Sequence, residues 1–367
     1  DDEEKLAARL AATGEQAVPP MIYDQIAEGE TYKNAIIVGA IGDSPIIDKL
    51  IQDGKLDEAK DIEGKWEGYV IKNVENPVPG VANALVIAGS DARGTIYGIY
   101  TVSEEIGVSP FYWYSDVPVD VKDTIEVDYS EAVVNEGPKV KYRGIFINDE
   151  DMSIRNWAPK KFTTENGTPD INYYRKVFEL MLRLKCNLLW PAMHELSTSF
   201  AAARDENGIP VNSKEAAKYG VVIGSSHCEI LLRSNTGEWW DWYNKNRNNF
   251  NWDPHAQSYD FSANREALLQ YWRERLETNK DFESVLTLGI RGIHDGGFNC
   301  YYKNQKYGGS DVKFMEDVIK AQRELIAEVY FDGEKSRLSE IPQVLIPYKE
   351  MGTVYNAGLK DFMAQPE

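Results

Sequence analysis

Cysteine is scarce in this chain: three occur among 367 residues, Cys186, Cys228 and Cys300. They are too few and too scattered for a disulfide framework or a paired Cys-x-x-Cys metal motif, and they leave the redox compartment open. Long apolar runs are lacking, and nothing approaches the ~18 uncharged residues of a membrane span. Basic residues are outnumbered, 40 against 59 acidic ones, for a formal charge of −19 and a pI near 4.8. Binding a phosphate backbone needs clustered Lys and Arg, so a nucleic-acid partner is excluded. The opening stretch, DDEEKLAARLAATGEQ, has neither a basic n-region nor an apolar h-region, and no signal peptide is expected in it.

What is present is a globular composition, 43% hydrophobic and 27% charged, with a mean hydropathy of −0.46. Such a chain buries a sizeable core, and its length suits two domains or one large α/β barrel with an appendage. The 21 Tyr, 9 Trp and 12 Phe stand out because many sit in polar surroundings, as in GEWWDWYNKN and FNCYYKNQKYGG. Amphipathic rings there suit a sugar, with ordinary core and turn packing as the alternative.

Periodicity divides the chain near residue 138. AIIVGAI (35–41), YVIKNV (69–74) and NALVIAGS (83–90) read as strands. SPIIDKLIQDG (44–54) and DARGTIYGIYTVSEEIG (91–107) read as helices, the second with Asp91 as N-cap and Gly107 as C-cap. This predicts an N-terminal α/β domain over 1–137, and its glycines lack the G-x-G-x-x-G of a dinucleotide site. Beyond it, YRGIFIND (142–149), NLLWPAM (187–193), YGVVIGSSH (219–227), SVLTLGIRG (284–292) and QVLIPYKE (343–350) alternate with helical segments. Ordered β/α repeats imply a parallel sheet, and the natural host is a TIM-type (β/α)8 barrel. Residues 138–367 hold about five of its eight strands, so the barrel is expected to be incomplete.

In such a barrel chemistry sits at the C-terminal strand ends. Those ends are polar here: Asn148-Asp149, Trp190 with His194, His227, Arg291 with His294 and Asp295, and Lys349-Glu350. Three of the four histidines fall among them. Metal-dependent hydrolysis through His194, His227, His294 and Asp295 is one reading, weakened because strand 1 offers no His-x-His pair. Gly224-Ser225-Ser226-His227 lacks the last glycine of a nucleophile elbow. Cys228 beside His227 is a weak nucleophile candidate if both lie on a strand and face opposite ways. Carboxylates among aromatics and cations fit glycoside hydrolysis best. Strand alternation predicts that Arg291 and Asp295 share one face, with Gly292 and Gly296 leaving room for a ligand.

KYRGIFINDEDMSIRNWA, NLLWPAMH, EAAKYGVVIGSSHCEILLR, TLGIRGIHDGG and QVLIPYKEM, in this order, resemble glycoside hydrolase family 115, the xylan α-1,2-glucuronidases. The N-terminal strings AIIVGAIGDSPIIDKLI and NPVPGVANALVIAGSDARGTIYGIYTVSEEIGVSPFYWYSDVPV resemble that family's first domain. The resemblance implies an inverting release of glucuronic acid, or its 4-O-methyl form, from glucuronoxylan or its oligosaccharides. Asp295 and Glu350 would be the acid and base, and Arg291 would hold the uronate, with Lys349 second. Asn148, Asp149, Trp190, His194, His227 and His294 would line the sugar; the family often has an aromatic at the position of His194. It implies no metal or other cofactor, an extracellular or periplasmic parent protein, and any homodimer formed through domains absent from this chain. A catalytically incomplete carbohydrate-binding fragment and a metal-dependent barrel hydrolase are the alternatives.

Overall fold

The computed structural model describes residues 31–119, 121–148, 154–162, 170–192 and 199–364. The chain divides into two compact units, Asp1–Lys139 and Val140–Glu367.

In the first unit, β1 (Tyr32–Ala40), α1 (Pro45–Gln52), β2 (Tyr69–Glu75), β3 (Val81–Gly89), α2 (Ala92–Glu105) and β4 (Val133–Asn135) follow in order. They form one sheet, β1-β3-β2-β4, in which β1 runs parallel to β3 and β2 antiparallel to both its neighbours. Helix α1 begins where Ser44 accepts the Ile47 N–H and Pro45 fits the first turn, whose amides lack helical partners. It buries Ile47 and Leu50 against Val70, Val86 and Ala88 of the sheet. Asp91 caps α2 by accepting the Gly94 N–H at 2.8 Å and also takes the Glu67 N–H at 2.9 Å. A Cβ at Gly94 would stand 2.1 Å from the Gly68 carbonyl oxygen, so only glycine lets the helix meet that strand. Ile106, one residue before the expected Gly107, closes the helix.

The second unit contains β5 (Gly144–Phe146), α3 (Ile154–Phe162), α4 (Ile171–Arg183), β6 (Leu188–Trp190), α5 (Val211–Lys218), β7 (Val222–Ile223), β8 (Glu229–Ile230), β9 (Arg233–Ser234), α6 (Trp239–Lys245), α7 (Phe261–Asn279), β10 (Leu286–Leu288), α8 (Lys303–Tyr307), α9 (Asp311–Phe331), β11 (Gln343–Leu345) and α10 (Glu350–Val354). Strands β5, β6 and β7 pair in parallel, as do β10 and β11. A parallel bridge, Ile223 to Ser284, joins the two groups. The strands are short: β7 and β10 are buried throughout and lack the polar alternation of a half-exposed sheet, β6 and β11 are partly buried, and β5 is exposed. Helix α9 supplies Phe314, Met315, Val318, Ile319 and Ile326, all buried. The result is a mixed α/β fold of several sheets and helices.

A tight turn lies at 231–232, beyond the expected strand YGVVIGSSH (219–227). Leu231 and Leu232, with φ of 51° and 61°, close the β8–β9 hairpin in the left-handed region usually given to Asn or Gly. Both are buried, and Leu231 N–H bonds to the Thr287 carbonyl at 3.0 Å. Tertiary burial overrides local preference there.

Candidate active site

The C-terminal ends of β10 and β11 carry the cluster. After Leu288 the backbone is held by Gln322 of α9, a fully buried side chain that accepts the Gly289 N–H at 2.8 Å and donates to its carbonyl at 2.7 Å. Residues 292–296 then turn back on themselves, with Gly292 N–H on the Gly296 carbonyl and Gly296 N–H on that of Ile293. His294 sits in the turn at φ 55°, its side chain exposed. Arg291 and Asp295 therefore meet through a turn, whereas strand alternation was expected to align them. A Cβ at Gly292 would lie 2.3 Å from the Gly297 carbonyl oxygen, so the space expected for a ligand is filled by this loop's own backbone.

Arg291 is 2% exposed and organises the site. Its Nε and Nη2 donate to Glu350 Oε1 and Oε2, both at 2.9 Å, in a bidentate pair. Nη1 donates to Asp295 Oδ1 at 3.0 Å, and Nη2 also reaches the Asp295 carbonyl at 3.2 Å. Asp295 further accepts Lys349 Nζ on Oδ2 at 3.0 Å, and its Oδ1 lies 2.8 Å from His227 Nε2. Tyr348 lies in the middle of this cluster, its ring 4.4 Å from the His227 ring, 5.2 Å from the Arg291 guanidinium and 5.3 Å from Lys349 Nζ. Tyr348 was not among the expected site residues, although it adjoins two that were.

These contacts set the charges. Burial opposes ionisation of Asp295, yet hydrogen bonds from Lys349, His227 and Arg291 together outweigh it and hold the carboxyl well below the usual carboxylate range. Burial likewise opposes ionisation of Glu350, and the Arg291 bonds again prevail. Burial lowers the His227 pKa, so the ring is neutral at pH 7.

The sulfur of Cys228 and ligand atoms of His227 and Asp295 lie within 4.8 Å of one another. Cys228 and His227 thus approach the same point, contrary to the opposite-face expectation, because 225–228 is not strand. Burial pushes the thiol pKa up to about 12, and the thiol donates to the His294 carbonyl at 3.0 Å. With Arg291 and Lys349 already on Asp295, a cation there would face two positive charges. Chemically, the arrangement favours acid–base work by carboxylates.

Of the expected residues, the structure brings together His227, Arg291, Asp295, Lys349 and Glu350. Trp190, at the end of β6, packs against Phe146 at 5.9 Å, and a Cβ at Gly224 would stand 2.6 Å from its indole nitrogen. Asn148 is exposed just beyond β5. Asp149 and His194 lie outside the described residues. In the aromatic segment at 237–246, Trp239 and Trp242 belong to the core, Trp239 fully buried 4.7 Å from Tyr259 and 5.0 Å from Tyr271, while Trp240 is exposed.

The family model for glycosyl hydrolase family 115 matches residues 135–362. Among solved structures, a family GH115 4-O-methyl-α-glucuronidase with specificity for decorated arabinogalactans is similar, at 33% identity and a TM-score of 0.70. The match covers 88% of this chain and 38% of that one, so the chain spans well under half of the neighbour's length. Comparison with curated proteins finds no match. An identity of this size over almost the whole chain, together with a family match covering most of the second unit, places the chain in glycosyl hydrolase family 115.

Proposed function

We propose that this chain contributes the acid–base site of a glycoside hydrolase that removes α-1,2-linked glucuronic acid, or its 4-O-methyl form, from xylan with inversion. The observation that carries this reading is the pair of carboxylates, Asp295 and Glu350, beyond the ends of adjacent parallel strands and on two edges of one guanidinium. Asp295, with three donors, stays ionised and suits the base that takes a proton from water. Glu350, whose charged partner is Arg291, is the acid that protonates the leaving oxygen. Arg291 lowers the Glu350 pKa in the empty site, so the acid role depends on the negative charge of an incoming uronate to raise it. Inverting enzymes separate the two carboxyls by about 6.5–9.5 Å so that water fits between them.

The five parallel strands belong, in this proposal, to a (β/α)8 barrel preceded by an accessory α/β domain over 1–137, in a secreted or periplasmic protein. The neighbour's specificity for decorated arabinogalactans favours a second polymer. The test is uronic-acid release from glucuronoxylan and from a glucuronidated arabinogalactan by the longest form its gene encodes, with the first-formed anomer read by NMR. The β-anomer from xylan is expected. Initial α-anomer overturns inversion, and release from arabinogalactan alone overturns the xylan assignment.

A further inference from the structure

Lys349 is held in a conformation that its own side chain makes costly. Its φ of 49° and ψ of −123° are those of the first central residue of a type II′ turn, where glycine is at ease and a β-carbon is not. Strain of this kind persists where the surrounding structure imposes it, and it gathers at functional sites. Here the strained residue stands between Tyr348 and Glu350, and the strain aims an ammonium at Asp295.

The two cations of the cluster differ in what they have left to offer. Arg291 is 2% exposed, and Nε, Nη1 and Nη2 all donate to Asp295 or Glu350. For Arg291 to grip a substrate carboxylate, it would have to release the chain's own carboxylates. The Lys349 side chain is 47% exposed and, among the described residues, makes one hydrogen bond, to Asp295 Oδ2. An ammonium has three donors, so it can keep Asp295 and bind a second carboxylate beside it. Its Nζ stands 5.3 Å from the Tyr348 ring centroid.

We infer that Lys349 is the specificity-determining cation that takes the carboxylate of an acidic sugar, while Arg291 positions the protein's own two carboxylates. The assignment rests on the proposed acidic-sugar substrate. It reverses the order expected from the sequence, where the fork of an arginine looked better matched to a planar carboxylate.

The test compares an aryl α-glucuronoside with the matching aryl α-glucoside in the wild type, Lys349→Met, Lys349→Arg and Lys349→Gly. Lys349→Met also removes a donor from Asp295 and so costs some turnover on both sugars, but its loss of kcat/KM should be roughly 10–100-fold larger on the glucuronoside than on the glucoside, with the excess in KM. Lys349→Arg should recover part of the loss. Lys349→Gly should lose as much as Lys349→Met while unfolding at a higher temperature, because the turn is relieved; this separates ligand recognition from folding. Equal losses on both sugars would overturn the inference, since a group that only tunes Asp295 acts on every substrate alike. Titration with glucuronate and with neutral glucuronamide keeps it independent of turnover. The wild type should prefer glucuronate and Lys349→Met should not; a wild type without that preference overturns the role of Lys349 whatever the activity. Inactivity on every glucuronoside alongside preserved glucuronate binding overturns the hydrolase reading instead.

Discussion

Arg291 and Glu350 meet edge to edge, Nε to Oε1 and Nη2 to Oε2, each at 2.9 Å. The same guanidinium reaches Asp295 through Nη1 at 3.0 Å, so one buried cation ties the two carboxylates together, with Lys349 and His227 adding to the charge balance at Asp295. An ammonium could not do this: it lacks the flat fork that presents two parallel donors to one carboxylate and a third to another.

If these carboxylates do the chemistry, Asp295→Asn and Glu350→Gln should each lower kcat by about 10²–10⁴-fold on an α-glucuronoside. Both changes nearly preserve shape, and in Glu350→Gln the new amide oxygen could still accept from Arg291. Circular dichroism should therefore be unchanged. A loss under tenfold in either variant would remove that residue from the acid–base pair.

Arg291→Met should destabilise the fold in a pH-dependent way. Removing a buried partner from a fully buried pair costs about 3–5 kcal/mol; here the Asp295 and Glu350 side chains are 37% and 31% exposed, so roughly 1–3 kcal/mol is expected at pH 7. Both carboxyls have lowered pKa values in the fold, so their stabilisation is present above the unfolded value near 4 and is lost as pH falls through the folded values. The difference between wild type and variant should accordingly shrink from pH 6 towards pH 2. Urea unfolding across that range checks it, and a constant difference would mean that Arg291 acts by packing alone.

Gly292→Ala tests the turn that presents Asp295. The new Cβ would stand 2.3 Å from the Gly297 carbonyl oxygen, and that partner is backbone, which gives way only if the loop opens. Asn235, fully buried, also donates to the Gly292 carbonyl at 2.6 Å and limits any shift. A loss of about 1–3 kcal/mol is expected, with a larger fall in kcat than in substrate affinity. Unaltered melting temperature and turnover would show that the loop adjusts freely.

Trp239→Ala separates the two readings of the aromatic-rich segment. Trp239 is fully buried, with Trp242 5.7 Å and Tyr271 5.0 Å away, so about 3–5 kcal/mol of stability should be lost. Sugar binding by the molecules that remain folded should be unchanged. A selective loss of binding at intact stability would restore the sugar-stacking reading.

The strand and helix pattern was legible wherever burial is periodic. Helix α9 spans 311–331 as its apolar spacing predicts, and Asp91 caps α2 as a residue of its type should. The β8–β9 hairpin was not legible, because Leu231 and Leu232 take positive φ values only under the pressure of a buried neighbourhood. Nor was the clamp of Gln322 on Gly289, since nothing local marks a helix glutamine as facing the backbone of another element.

For the site, the sequence by itself determined the inventory: carboxylates, cations and His227 placed after successive apolar runs, so that parallel pairing had to bring their ends to one side. Only the tertiary structure decided the pairing among them. Which cation holds which carboxylate depends on a turn at 292–296, on the strained backbone of Lys349 and on the burial of Arg291. Hydrogen-bond partnership is settled over about 3 Å, whereas spacing along the chain settles little more than which end of the sheet a residue reaches.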